Sequence, residues 1–394
     1  MPPALAAVPG RDDREDLAAV ARRIADDVAA PAAADVDARA RFPHETIAAL
    51  REARLLGALV PPALGGRGAT LAGIAAVCEI LGERCASSAM VFAMHQIEVA
   101  CLVRHGLANA ALREQVREVA THQLLLASAT TEASVGGDVR TSRCAVERDG
   151  ERFRLVKSAP VISYAEQADG MLVTARRAPD AAPNDQVLVL VRRGQCALHP
   201  TSGWDTLGFR GTCSLGWRLE AEGPGDWILP APYADIAART MVPTSHLLWA
   251  SLWVGIATAA LRRARAHVRA EARRRPDEVP PGALRTAELL GRHQALRATV
   301  QEALREYERL ADDPETLSAM PFALRMNGLK TTASDLLVEI VLGALRVTGL
   351  AGYRRDSAVS VERHVRDALG AGLMIGNDRI LGASAAMLRV SRDD

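Results

Sequence analysis

Along the first third of the chain, apolar residues recur at helical spacing. Leu17, Val20, Ala21, Ile24 and Val28 follow the i, i+3, i+4, i+7, i+11 pattern of an amphipathic helix, after a start rich in Pro, Ala and Gly. The same period predicts helices over 43–56, 71–84 and 87–105, broken by the turn-rich run at 60–68, and helical character lasts to about 122. Beyond 123 the period changes. Phe153 and Leu155 alternate with Arg152 and Arg154, and 171–175 and 186–191 are short apolar runs, which read as strands. Asp149-Gly150 punctuates a hairpin, 179–185 reads as a surface loop, and the β region ends near Pro230 and Pro232. Long helices are predicted again over 244–271, 285–310, 321–347 and 357–390. The second carries a heptad-like seam of Leu289, Leu296, Ala303 and Leu310 interleaved with His293, Val300 and Tyr307. The order is helical, then β, then helical, with divisions at 1–122, 123–235 and 236–394: an α+β fold, mainly helical.

Composition sharpens this picture. The 394 residues are 49% hydrophobic but only 4% aromatic, so the core is built from Ala, Leu and Val, a mix that suits close-packed helices. With 48 basic and 47 acidic residues there is no electrostatic footprint for nucleic acid or an anionic membrane. The arginine cluster at 262–275 reads as a solvated helix face. The six cysteines show no Cys-x-x-Cys pair or metal-like spacing, as buried thiols of a reducing compartment would. No signal peptide is read, and the apolar stretch at 247–261 falls short of the roughly 20 residues that span a bilayer. A cytoplasmic protein is expected, with no nucleic-acid or membrane partner.

Familiar chemical motifs do not occur. There is no Gly-x-Gly-x-x-Gly, no Gly-x-x-x-x-Gly-Lys-Ser/Thr and no His-Glu-x-x-His, and the nine histidines include no pair at ligand spacing. No nucleophilic triad or metal site is proposed. The informative stretch is 129–169, where a turn of small residues and hydroxyls adjoins a strand pair between the two helical regions.

Through this stretch the chain resembles the acyl-CoA dehydrogenase superfamily. Thr131-Glu132-Ala133-Ser134-Val135-Gly136-Gly137-Asp138 matches in part the family's Thr-Glu-Pro-x-Ala-Gly-Ser-Asp signature. Asp149-Gly150, Val156-Lys157-Ser158, Val161-Ile162-Ser163-Tyr164 and Ala168-Asp169 follow in the family's order. Segments 56–68, 207–212, 344–353 and 361–368 are similar to further family segments, so the resemblance covers about residues 15 to 390. It implies an N-terminal helical domain, a middle β-barrel domain and a C-terminal four-helix bundle that binds FAD and oligomerises as a homodimer or homotetramer.

It also implies roles. Thr131 and Ser163 would line the isoalloxazine, with the backbones of Ser128, Thr130 and Val161 nearby, where donors aimed at the ring hold charge as it develops. Gly136 and Gly137 belong to the same cofactor turn. Gly137 replaces a serine, and Val161 a stacking tryptophan. Arg273, Arg346, Gly349, Leu350, Ile375 and Asn377 fall at further FAD-contacting positions, and arginine pairs well with pyrophosphate oxygens. The family's dehydrogenases remove an α-proton with a glutamate; Ile375 stands at that position, and Ser245 at the family's other base position. Asp378, three residues on, is the substitute candidate on a continuing helix. His95 is the alternative for oxygen chemistry. The implied activity is desaturation of an acyl-CoA or acyl-carrier-protein thioester, with an electron-transfer flavoprotein or O2 as acceptor. The alternative is a flavin oxidase or monooxygenase, in either case suited to bacterial secondary metabolism.

Overall fold

A computed structural model describes residues 11–133 and 141–390. Helix α1 (Arg11–Ile24) runs through a π-helical turn into α2 (Ala30–Ala38), followed by α3 (His44–Glu52), α4 (Leu71–Gly82), α5 (Ala86–His105) and α6 (Ala110–His122). Local chemistry sets several starts. The Thr70 side chain accepts from the Gly73 N–H, and that of Asn109 from the N–H groups of Ala111 and Leu112, so donors that α4 and α6 would leave unpaired are satisfied.

The strands are β1 (Leu126–Ala129), β2 (Glu147–Asp149), β3 (Arg152–Ala159), β4 (Gly170–Arg176), β5 (Gln186–Arg192), β6 (Cys196–Ser202) and β7 (Gly216–Pro224). They form two sheets, ordered β1-β4-β5 and β2-β3-β7-β6. Among the described strands, β1 and β4 alone form a parallel ladder, Leu126 opposite Gly170 through Ala129 opposite Val173. The hairpin at Asp149-Gly150 forms, with Gly150 at φ 59° where a Cβ would strain the turn. Alternation along β3 is strict. Arg152, Arg154, Val156 and Ser158 face out, and Phe153, Leu155, Lys157 and Ala159 face in.

The C-terminal region comprises α7 (Tyr233–Ile236), joined through a π turn to α8 (Val242–Arg274), then α9 (Ala283–Arg309), α10 (Pro314–Ser318), α11 (Met320–Tyr353), α12 (Glu362–Ala371) and α13 (Asn377–Leu388). Two expectations change here. The helix predicted at 321–347 continues to Tyr353 across a break at Gly349 (φ 56°, ψ −140°), and the single helix predicted at 357–390 is two. Against the reading of 247–261, three helices among the described residues are long and apolar enough to cross a membrane by length and composition: Ala86–His105, Tyr233–Arg274 and Met320–Tyr353. The apolar windows of the first two are 89% and 94% buried inside the protein.

One contiguous apolar core runs from Leu17 through the sheets to the C-terminal helices. α8 lies against both α4 and α11, and glycines permit the approach to α4. A Cβ on Gly255 would fall on the Glu79 carbonyl, and one on Gly82 on the Leu252 carbonyl.

Candidate active site

The structure brings two sequence-predicted flavin segments side by side. Ser128 is half-buried near the end of β1, Thr130 and Thr131 follow the strand, and the Thr131 hydroxyl donates to the Val161 carbonyl at 2.7 Å. The Ala133 N–H donates to Ser158 O and the Ile162 N–H to Leu215 O, so 128–133 and 158–164 form one cradle. Ser163 is buried, and its hydroxyl bonds Ser214 Oγ at 2.8 Å. Ser214 Oγ in turn bonds Thr212 Oγ1 at 2.7 Å, and Thr212 donates to Phe209 O. The Phe209 N–H then donates to the buried Asp367 carboxylate of α12 at 2.7 Å. This hydroxyl relay ties the cradle to the C-terminal helices. Burial pushes the Asp367 carboxyl up to about 6, against the pull of that N–H. Gly136 and Gly137 lie outside the described residues.

Beneath the cradle sits a buried ion pair. Glu132 accepts from Ser142 Oγ (2.6 Å), the N–H groups of Arg143 and Cys144 (2.8 and 2.9 Å) and Lys157 Nζ (3.3 Å). Lys157 also donates to Thr174 O and Oγ1. Burial raises the Glu132 carboxyl, but the Ser142 hydroxyl, Lys157 and the two backbone donors outweigh it and hold the group below the usual carboxylate range. Because β3 alternation turns Lys157 inward, the strand itself delivers the cation. Breaking such a pair typically costs about 3–5 kcal/mol.

His95 is placed differently from its proposed oxygen role. It is fully buried on α5, with Nδ1 accepting from the Leu126 N–H at 3.0 Å and Nε2 donating to Leu56 O at 2.8 Å. Both ring nitrogens are committed to backbone, and burial lowers the group to about 4, so it is a neutral structural histidine. One turn on, Glu98 is also buried. Its carboxyl is pushed up to about 8 by burial, opposed by a hydrogen bond with Ser128.

In the C-terminal region, Arg346 on α11 lines a cleft of about 360 Å³ with Glu271, Pro281, Gly282, Arg285 and Val347. Two guanidiniums converge there, a donor set suited to a pyrophosphate. Arg285 was not anticipated, and Arg273 is exposed in the last turn of α8, just past Glu271. Gly349 and Leu350 form the exposed break in α11, where a Cβ on Gly349 would meet open space.

Helical phase does not carry Asp378 back to the Ile375 position. The chain leaves α12 at Ala371, and Ile375 (φ 61°) and Gly376 (φ 72°) turn it before α13 starts at Asn377. Asp378 is exposed in the first turn of α13, where a carboxylate complements the helix dipole. Ser245 is buried and donates to Met241 O at 2.6 Å. The Asn377 side chain turns into the bundle, accepting from Lys330 Nζ at 2.7 Å and donating to Ser334 Oγ and Asp335 Oδ1. The side chain is thus committed to the bundle rather than to a cofactor.

Lys157 and Lys330 carry a signal that the sequence held openly: they are the only two lysines in a chain with 46 arginines, and both are fully buried.

Residues 11–116 match the family profile of the acyl-CoA dehydrogenase N-terminal domain, and residues 247–377 that of an acyl-CoA dehydrogenase C-terminal domain. A probable acyl-CoA dehydrogenase, fadE25, of Mycobacterium leprae is 27% identical over 386 residues, 96% of each chain. Cyclohex-1-ene-1-carbonyl-CoA dehydrogenase of Geobacter metallireducens is 25% identical over 355 residues, 89% of this chain and 91% of that one. Among solved structures, dibenzothiophene monooxygenase TdsC of Paenibacillus superposes with a TM-score of 0.82 at 18% identity, over 96% of this chain and 98% of that one.

Proposed function

This chain belongs to the acyl-CoA dehydrogenase superfamily, and from that premise we propose that it is an FAD-dependent oxidoreductase acting on an acyl thioester, delivered by CoA or a carrier protein. The observation that carries this reading is the cradle in which Thr131 bonds across to Val161, with Ser163 held behind it by the relay to Asp367. FAD, when bound, supplies the hydride-accepting ring. The chain's part is to present backbone N–H groups and short hydroxyls along that ring, with Arg346 and Arg285 as the pyrophosphate's counter-charges. The Thr131 hydroxyl proton is already given to Val161, so toward the ring its oxygen acts as an acceptor.

Desaturation also needs a base, and the family's two base positions are held by Ile375 and by Ser245, whose proton is committed to Met241. That observation favours a second reading on the same fold, a flavin oxidase or monooxygenase in which O2 consumes the reducing equivalents and no α-proton is taken by a carboxylate.

Anaerobic mixing of the FAD-loaded protein with saturated acyl-CoA thioesters tests the choice. Bleaching of the flavin's visible band, with slow recovery in air, supports the dehydrogenase. No bleaching, with rapid reoxidation after chemical reduction, supports the oxygen-using reading. A protein that takes up no FAD rules out both. Association into a homodimer or homotetramer belongs to the same proposal. It is supported by the exposed apolar side chains of the C-terminal stretch, among them Tyr353, Leu373, Leu381 and Leu388.

A further inference from the structure

Lys330 lies in the middle of α11 with no exposed surface, beneath the turn that links α12 to α13. Its ammonium donates to Asn377 Oδ1 at 2.7 Å and stands 6.0 Å from the centre of the Trp253 ring on α8. Asn377 is pinned from its other end by Ser334 Oγ (2.9 Å) and Asp335 Oδ1 (3.2 Å), and its N–H by Gly372 O at 2.9 Å. The backbone held this way is costly. Ile375 is β-branched and has φ 61°, a region such residues avoid, and Gly376 follows at φ 72°. A conformation of that kind persists only where its surroundings over-determine it. Here the over-determination comes from the three side chains of α11 that grip Asn377.

The choice of cation points the same way. A chain that uses arginine at 46 positions keeps lysine at two, and Lys330 is one of them. Lysine differs from arginine in being compact, in rotating three donors about one nitrogen and in being able to lose its proton.

We propose that Lys330 is a positioning residue: by holding Asn377 it fixes the Leu373–Asn377 turn, and with it the side chain that stands where relatives of this fold carry their base. The proposal rests on the functional reading only in identifying the turn with the substrate side; the latch itself does not depend on it.

The groups facing Lys330 are few. On its own helix they are Ser334 and Asp335; from α8 come Trp253 and His246, whose Nδ1–H donates to Met326 O; from the far side comes Asn377. His246 is driven down to about 4 by burial and is neutral throughout the working range. Burial, opposed by Asp335, lowers the Lys330 ammonium to about 8, so its deprotonation beside an indole is observable.

The test uses the FAD-loaded protein and the variants Lys330→Met, Lys330→Arg, Asn377→Ala and Trp253→Phe. Tryptophan fluorescence of the wild type is expected to show a step centred near pH 8, retained in Asn377→Ala and absent from the other three. Flavin reduction by thioester or reoxidation by O2, whichever the protein performs, is expected to slow about 10- to 100-fold in both Lys330→Met and Asn377→Ala, with KM little changed. A step that persists in Lys330→Met overturns the assignment, as does a Lys330→Met variant that turns over at the wild-type rate. If no thioester or oxygen chemistry is found, the functional reading fails, and the latch is then judged by the melting temperature, which Lys330→Met and Asn377→Ala should lower alike and whose constancy in both would overturn it. Asn377→Ala guards against misfolding of the Lys330 variants, since it removes the same bond from the partly exposed side.

Discussion

At the residue scale, the site is governed by where protons and charges are confined. Glu98 gives the sharpest prediction. Its folded-state value of about 8 lies far above the unfolded value of about 4.3, so between these pH values the unfolded chain releases a proton that the folded chain keeps. Stability is therefore lost as pH rises through that window. Glu98→Gln abolishes its share of the loss and keeps an acceptor for the Ser128 hydroxyl. Urea unfolding at pH 5 and pH 8 should show the variant gaining on the wild type at the higher pH; parallel curves would refute this. Residue roles were legible in part. Thr131 and Val161, singled out by the resemblance, do meet across the cradle, because the strands on either side bring their segments together. The role of His95 was not legible, because a sequence does not reveal that two backbone groups, Leu56 O and the Leu126 N–H, lie within reach of one imidazole. Lys157 entered only as part of a family segment and Lys330 not at all, since the burial of a lone cation shows only once the alternation of β3 and the packing of α11 turn it inward.

Elements were the most legible level, and their ends the least. The change of period near 123 and the return of long helices after 232 both correspond to the structure, since amphipathic spacing follows directly from one-sided burial. The break between α12 and α13 escaped notice because Leu373, Met374 and Ile375 continue an apolar pattern that gives no sign of a positive φ. Pairing of α8 with α4 supplies the prediction at this scale. Gly255→Val places a side chain on the Glu79 carbonyl, and overpacking of that kind typically costs about 1–3 kcal/mol. A clearly lowered melting temperature is expected, whereas Gly291→Ala on α9, where a Cβ meets nothing within 4 Å, should leave it unchanged or raise it. Equal melting temperatures for the two variants would show that the helices separate without penalty.

For the whole molecule, the exposed apolar side chains of α11 to α13 set the expectation for assembly. Leu373, in the turn between α12 and α13, is 81% exposed, and Leu388, at the end of α13, 62%. Sedimentation of the wild type should report a species larger than one chain, and Leu381→Asp combined with Leu388→Asp should shift it toward the monomer. A wild type that sediments as a monomer at micromolar concentration would remove this interface. The division at 122 and 123 deserves a different use. Gln123 accepts the Leu56 and Gly57 N–H groups through Oε1 and gives its own amide to Ala120 O, while His95 reaches across to Leu126. A fragment ending at 122 would strand those donors in an apolar interior. The N-terminal helices should therefore be expressed as an autonomous piece only when the cut is moved beyond β1, and a protease that nicks between 122 and 126 should find its site only after the protein has opened globally.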